Sequence, residues 1–267
     1  MHRRRTYYDS DPQKMEWIRC CSQVSKVASQ NSSSYIDLHR QYHNLMYDFF
    51  FEAQVMSHQP LCQHPNVVKL LGLSFYTINE EIIYPILIVE AADSQYPDLR
   101  RYIDDSDRQR PISVSTLIDI AADIADGLDA IHQFGLIHGD VKPENILLFQ
   151  GVREKKFTAK IADFGFSGSE VSGDVTRGFT RIWNDPHSTK TTSSNDIYSF
   201  GLICAYLVHD GVQGPEVIRN MEDGELWGQR MREPQLDCLI DIIRSTLRPL
   251  SERLQSLSGV RNFLFGT

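Results

Sequence analysis

His138-Gly-Asp-Val-Lys-Pro-Glu-Asn145, followed at once by the apolar run Ile146-Leu-Leu-Phe149, is the stretch whose reading decides the fold. Asp140 and Lys142 are two positions apart, so in an extended loop their side chains share a face. Pro143 prevents a helix from running through them. Asn145 follows Asp140 by five residues and closes the loop just before the strand. Eighteen residues beyond Asn145, a second strand within Phe157 to Ala162 has run into Asp163-Phe-Gly165. Between the strands, Gln150-Gly-Val-Arg-Glu-Lys-Lys156 reads as a solvated turn, so the two form a hairpin. A hairpin brings Asn145 and Asp163 to neighbouring strand ends, where their oxygens suit Mg²⁺.

Two oxygen ligands, a carboxylate facing an incoming hydroxyl and a nearby cation are the parts that phosphoryl transfer needs. Taken alone, Asp-x-Lys-x-x-Asn reads equally well as a surface turn, and Asp-Phe-Gly as a strand end. Their order on one hairpin is what selects the chemistry.

Upstream, apolar residues at Leu38, Tyr42, Leu45, Met46, Phe49, Phe50, Ala53 and Met56 recur at spacings of three and four, which predicts a helix over 37–58. Residues 28–34 read as a loop. Two β-like runs follow, Val67 to Leu73 and Ile82 to Val89, and the second is solidly apolar, as a strand buried on both faces would be. The composition turns polar over 91–98, which fits a hinge. Leu117, Ile120, Ala121, Ile124, Leu128 and Ile131 then mark an amphipathic helix from Thr116 to His132, with Ser113 and Ser115 nearby as caps. From Asn195 onward, helical stretches alternate with Gly and Pro, and no internal repeat is present.

The 267 residues are 41% hydrophobic and 23% charged, a composition that excludes disorder, collagen and coiled coil. Thirty-five acidic residues against 27 basic ones leave a net charge of -8, which argues against a nucleic-acid binder. Arg3 to Arg5 is too short a basic cluster to alter that. No run approaches the roughly 18 apolar residues of a membrane span, and the N-terminus has no apolar signal region. The five cysteines form no C-x-x-C pair and are odd in number. That fits thiols in a reducing, cytoplasmic compartment, and makes the Asn31 sequon a chance match. Nothing in the sequence speaks to oligomeric state.

With these elements in order, the chain resembles the eukaryotic protein kinases over about residues 40–267. The resemblance implies an α+β, two-lobed kinase-like fold. A small β-rich lobe with one main helix would span 1–90, a hinge 91–98, and a larger, mostly helical lobe 99–267. It also implies ATP and Mg²⁺ as cofactors and protein substrates phosphorylated on serine or threonine. Asp140 would be the catalytic base, Lys142 the γ-phosphate contact, and Asn145 and Asp163 the Mg²⁺ ligands. Lysine at position 142 is similar to the serine/threonine branch. Asp196-Ile-Tyr-Ser-Phe-Gly201 looks like the start of the family's central buried helix, with Asp196 bracing the catalytic loop near His138. By the same resemblance Glu52 pairs with a strand lysine, for which Lys26 is the best match. Val89 would be the gatekeeper, and backbone groups of Glu90 and Ala92 would bond adenine.

Several positions depart from the family pattern. No glycine precedes Gly72, so there is no glycine-rich phosphate loop, which leaves either an incomplete small lobe or weakened ATP binding. Gly139 stands where an arginine usually precedes the catalytic aspartate, which removes the clamp for a phosphorylated activation loop. Thr180 is kept, with its expected contact to Asp140 and Lys142. His187 replaces a glutamate that normally pairs with a late arginine, here Arg253, so that contact is expected to be loosened or rescued. The alternative to an enzyme is a pseudokinase acting as a binding scaffold. A third reading is a small-molecule kinase of the aminoglycoside or choline type, prompted by His-Gly-Asp and opposed by Lys142, Asp-Phe-Gly and the Asp196 segment.

Overall fold

The computed structural model describes residues 17–20, 35–79, 82–105, 107, 111–169, 180–188, 190–209 and 233–266. Lys26 and the expected loop at 28–34 lie outside these, as do residues 170–179. The architecture is α+β. The chain divides into two units, one made of residues 1–63 and 68–91 and the other of residues 64–67 and 92–267.

In the first unit, β1 (Trp17–Cys20) is followed by helix α1 (Tyr35–Ser57) and the short helix α2 (Gln59–Cys62). Strands β2 (Leu70–Asn79) and β3 (Ile82–Val89) complete a three-stranded antiparallel sheet in the order β1-β3-β2. The register pairs Trp17 with Val89 and Ser74 with Ile86. Helix α1 forms where the apolar spacing predicts it. Phe49, Ala53 and Met56 are buried, and the Phe49 ring meets Phe75 of β2 at 5.9 Å. Phe50, one of the predicted core positions, is 52% exposed instead, because the apolar stripe is wider than the face that packs.

Two strand expectations need correction. The first strand starts at Leu70 rather than Val67 and continues to Asn79. Val67 instead bridges to Ile161 and belongs to the second unit. The second strand is not buried on both faces: Pro85, Leu87 and Val89 are buried, whereas Ile86 and Ile88 are partly exposed. Isoleucine favours a pleated strand on either face, so an apolar run by itself does not report burial.

In the second unit, α3 (Leu99–Ile103) precedes the long α4 (Val114–Gln133), which starts on Ser113, whose hydroxyl accepts from the Thr116 N–H at 3.2 Å. Leu117, Ile120, Ile124, Leu128 and Ile131 are fully buried along one side. Gly127 lets α4 approach the 64–67 segment closely: a Cβ there would lie 2.6 Å from the Asn66 carbonyl oxygen. That carbonyl accepts from the Ile161 N–H at 2.8 Å, and the Asn66 amide donates to the Ala159 carbonyl at 3.0 Å. After β4 (Leu136–Ile137), strands β5 (Ile146–Gln150) and β6 (Phe157–Ile161) form the predicted antiparallel hairpin, with Ile146 opposite Ile161. β7 (Gly168–Ser169) pairs with β4. Helix α5 (Ser193–Val208) is buried almost throughout and packs on α6 (Asp237–Thr246), and α7 (Val260–Phe265) rests on α4. Among the described residues no helix is long and apolar enough to cross a membrane.

Candidate active site

The hairpin register builds the site. With Ile146 opposite Ile161, the residues just outside the pair meet: the Ala162 N–H donates to the Asn145 carbonyl at 2.9 Å. Asp163 is therefore the next residue along from a backbone contact to Asn145. It takes a left-handed conformation, φ 72°, as the chain turns out of the strand.

The loop from His138 to Lys142 is pinned from below by Asp196, 1% exposed at the start of α5. Its two carboxylate oxygens accept the N–H groups of His138 at 2.8 Å and Gly139 at 2.9 Å. The bracing role expected of Asp196 is thus present in the geometry. His132, at the last turn of α4, donates to the same carboxylate at 2.9 Å. The His138 ring is held as well: Nε2–H donates to the Ala162 carbonyl at 3.1 Å, Nδ1 accepts from the Asp140 N–H, and the ring stands edge-on to buried Phe164.

Above that base the reactive groups converge. Asp140 is 1% exposed. Its Oδ1 accepts from the Thr180 hydroxyl at 2.7 Å, and its Oδ2 meets the Lys142 ammonium and the Asn145 amide. Lys142 Nζ also donates to Thr180 Oγ1 at 3.0 Å, so the expected Thr180 contact to both residues is made. The Asn145 amide nitrogen donates to the Asp140 carbonyl at 2.8 Å, which turns its Oδ1 the other way. That Oδ1 is buried and has no hydrogen-bond partner. A buried carbonyl oxygen without a donor costs free energy unless a cation or water meets it, so the residues present fit a hard divalent ion.

Of the other expected residues, Glu52 and Glu90 belong to the first unit. Glu52 sits on α1 and is 6% exposed. Glu90 directly follows β3; its N–H donates to the Lys69 carbonyl at 3.1 Å and its carboxylate accepts from the Lys69 N–H at 2.8 Å. Ala92 begins the long stretch of the second unit.

Sequence reasoning missed a cluster beside the loop. Arg100 of α3 donates from Nε to Glu144 Oε1 at 3.1 Å and lies against the rings of Trp183 and Tyr206. Burial pulls the guanidinium pKa down, but Glu144 and Tyr206 more than offset that and leave it above its ordinary value. Burial and the bond to Asp104 push the Tyr206 hydroxyl up, so it stays protonated. No spacing signal links residues 44 positions apart. The Arg253 question is resolved by Asp185, which takes the arginine that His187 cannot.

Comparison with known proteins agrees with this arrangement. The family profile described as "Protein kinase domain" matches residues 26–237. A "Dual serine/threonine and tyrosine protein kinase" of Xenopus tropicalis is 33% identical over 119 residues, 43% of this chain and 12% of that protein. The "Probable serine/threonine-protein kinase PBL6" of Arabidopsis thaliana is 28% identical over 172 residues, 60% of this chain and 37% of that protein. The similar PBL21 of the same plant is also 28% identical over 172 residues, 42% of its length. The chain thus spans less than half the length of these relatives. With more than half of its residues matched by the family profile, and the loop, hairpin and Asp196 brace in place, the chain belongs to the protein kinase domain family.

Proposed function

We propose that this domain transfers the γ-phosphoryl group of ATP to serine and threonine hydroxyls of proteins. The observation that carries the reading is the convergence of Lys142, Thr180 and Asn145 on the Asp140 carboxylate. Asp140 accepts the proton of the incoming hydroxyl and orients its oxygen, and the carboxylate is held for that task on both oxygens. Lys142 places a positive charge where the transferred group gains negative charge. Thr180 fixes the distance between the two by bonding to each. Asn145 and Asp163 would hold Mg²⁺, which when bound neutralises charge on the phosphates.

In the first unit, Glu52 would orient the cation that meets the phosphates, with Lys26 in that role, and backbone groups of Glu90 and Ala92 would take adenine. Serine/threonine acceptance is supported by Lys142 in the loop and by the printed names of the Arabidopsis relatives. We place the protein in the cytosol on its cysteine usage, with Cys62, Cys204 and Cys238 all free thiols.

The absence of glycine before Gly72 favours a second reading, a scaffold that binds without transferring phosphate. The discriminating experiment is Mg²⁺-dependent transfer from γ-labelled ATP to generic protein substrates, with Asp140→Asn as the control. Transfer that disappears in the control supports the enzyme. A folded wild-type chain with no transfer leaves the scaffold.

A further inference from the structure

Strand β6 pairs with β5 along its length, and its other side is held by single groups. At Ala159 both backbone groups go to side chains. The N–H donates to Asp123 Oδ2 at 3.1 Å, and the carbonyl accepts from the Asn66 amide at 3.0 Å. Two residues on, the Ile161 N–H donates to the Asn66 carbonyl at 2.8 Å. One residue further, Ala162 reaches the Asn145 carbonyl, and Asp163 follows. The groups that hold the outer side of β6 therefore act on the same short length of chain that delivers Asp163.

Asp123, on α4, is 2% exposed, so its charge needs compensation within the protein. Two cations reach its Oδ1: Lys155 Nζ at 3.0 Å and Arg261 Nη2 at 2.7 Å. Neither serves Asp123 alone. Lys155 also lies 3.7 Å from Asp119, and Arg261 Nε donates to Asp126 Oδ2. Three carboxylates thus share two cations, and loss of Arg261 would leave Lys155 for all three. Burial alone would lower the Arg261 pKa, but its bonds to Asp123 and Asp126 more than offset that, so the guanidinium stays charged.

The two cations differ in where they come from. Lys155 sits in the turn between β5 and β6 and moves with the hairpin. Arg261 comes from α7 and is anchored on α4 by Asp126. It is the arm that fixes the hairpin against the helices.

We propose that Arg261 is a positioning residue for the divalent-cation ligands. By neutralising Asp123 it keeps the bond to the Ala159 N–H, that bond holds the outer side of β6, and β6 sets Asp163 beside Asn145. Helix α7 is thereby coupled to the reaction centre through one buried carboxylate. The cation part rests on the proposed roles of Asn145 and Asp163; the coupling of Arg261 to β6 does not.

The test has two independent arms. The first follows hydrogen exchange of the Ala159 amide. Arg261→Gln is expected to lower its protection by about tenfold or more, and Arg261→Lys to restore most of it. In an Asp123→Asn background the acceptor carries no charge, so there Arg261→Gln is expected to add less than about twofold. Equal losses in both backgrounds make Arg261 a packing residue of α7 and overturn the proposal.

In the second arm Mn²⁺ alone is titrated, following the resonance of the free ion, with Asp163→Asn to identify the binding that belongs to the candidate site. Arg261→Gln is expected to weaken the Asp163-dependent binding about tenfold, with recovery in Arg261→Lys. Unchanged Mn²⁺ affinity overturns the positioning role, whatever the transfer assay gives. A folded wild-type chain with no Asp163-dependent binding overturns it too, together with the cation roles of Asn145 and Asp163. Asp126→Asn, which releases Arg261 from α4, serves as a second variant should Arg261→Gln not fold; the same two losses are expected of it, and their absence counts equally against the proposal. Weakened Mn²⁺ binding in the variant together with no transfer by wild type removes the transfer reading and leaves the Arg261 tie standing.

Discussion

Arg253 Nη2 lies 2.5 Å from Asp185 Oδ2, and both side chains are nearly buried, at 2% and 9% exposed. The guanidinium also donates to the carbonyls of Arg248 and Ser194 and stacks on Tyr198. Asp185 itself is fixed, since its Oδ1 accepts the His187 N–H at 2.8 Å. The acidic partner of the late arginine has thus moved two positions along the chain, and the histidine at 187 is left exposed. Removing one member of a buried pair strands the other, at about 3–5 kcal/mol. Asp185→Ala and Arg253→Met are each expected to lose stability on that scale in urea unfolding. His187→Glu is expected to change it little, and a gain comparable to the Asp185 loss would return the role to position 187.

Gly139 is required by backbone geometry as well as by its place in the loop. Its φ is +80°, and a Cβ would lie 2.6 Å from the Phe166 carbonyl oxygen. Both the left-handed conformation and the backbone contact disfavour any side chain. Gly139→Arg, which restores the usual family residue, is expected to lower the midpoint of thermal unfolding and to reduce transfer. The cost is about 1–3 kcal/mol. An arginine tolerated without loss of stability would show that the loop relaxes around it.

These two positions also show how far the sequence could be read. The catalytic loop and the hairpin were legible because their signals are short in range: Asp140, Lys142 and Asn145 lie within six residues, and the 3.6-residue and two-residue periods flank them. The Asp196 brace was legible only through family resemblance. The Asp185 rescue was not legible, because nothing local to residue 185 marks a partner 68 positions away. The Arg100 cluster was missed for the same reason, its members coming from α3, the loop after Lys142, the Thr180 turn and α5. Strand β3 was misread in burial because β-branched residues suit exposed and buried faces alike.

Lys26 carries the expected cation role on resemblance alone, and β1 ends at Cys20, short of it. Arg19, within β1, holds the register position opposite Leu87, one of the buried residues of β3. Lys26→Met is expected to weaken MgATP binding by about tenfold or more, the loss of one charge-assisted contact. Calorimetric titration of both Lys26→Met and Arg19→Met decides the matter: weakening only in Arg19→Met would move the role to β1.

Thr180 joins Asp140, the proposed base, to Lys142, accepting from Lys142 and donating to Asp140. Thr180→Val keeps the shape and removes both bonds. A kcat reduced by about 10²-fold with KM little changed is expected, because the base loses its orientation while the peptide surface persists. Thr180→Ser, which keeps the hydroxyl, is expected to recover most of the rate. A valine variant with wild-type kcat would show that Asp140 needs no support from Thr180.

The 64–67 segment gives the second unit a pH dependence whose sign is fixed. His64 Nδ1 accepts the Asn66 N–H at 3.2 Å, a bond that a proton on that nitrogen would break. Burial lowers the His64 pKa below 6.5, partly offset by Asp126 and Asp129 of α4, while Arg261 of α7 lowers it further. The unfolded chain therefore binds this proton more readily than the folded one. The His64 contribution is fully present above about pH 6.5, and is lost as pH falls from there through the lowered folded value. His64→Gln is expected to flatten that part of the stability profile, measured by urea unfolding between pH 7.5 and pH 5 in about half-unit steps. An equally steep fall in the variant would assign the acid sensitivity to other groups. A fall that instead begins above pH 7 would contradict the lowered pKa. Because Asn66 also bonds to both Ala159 and Ile161, the loss should reach the β5–β6 hairpin, and with it the placement of Asn145 and Asp163.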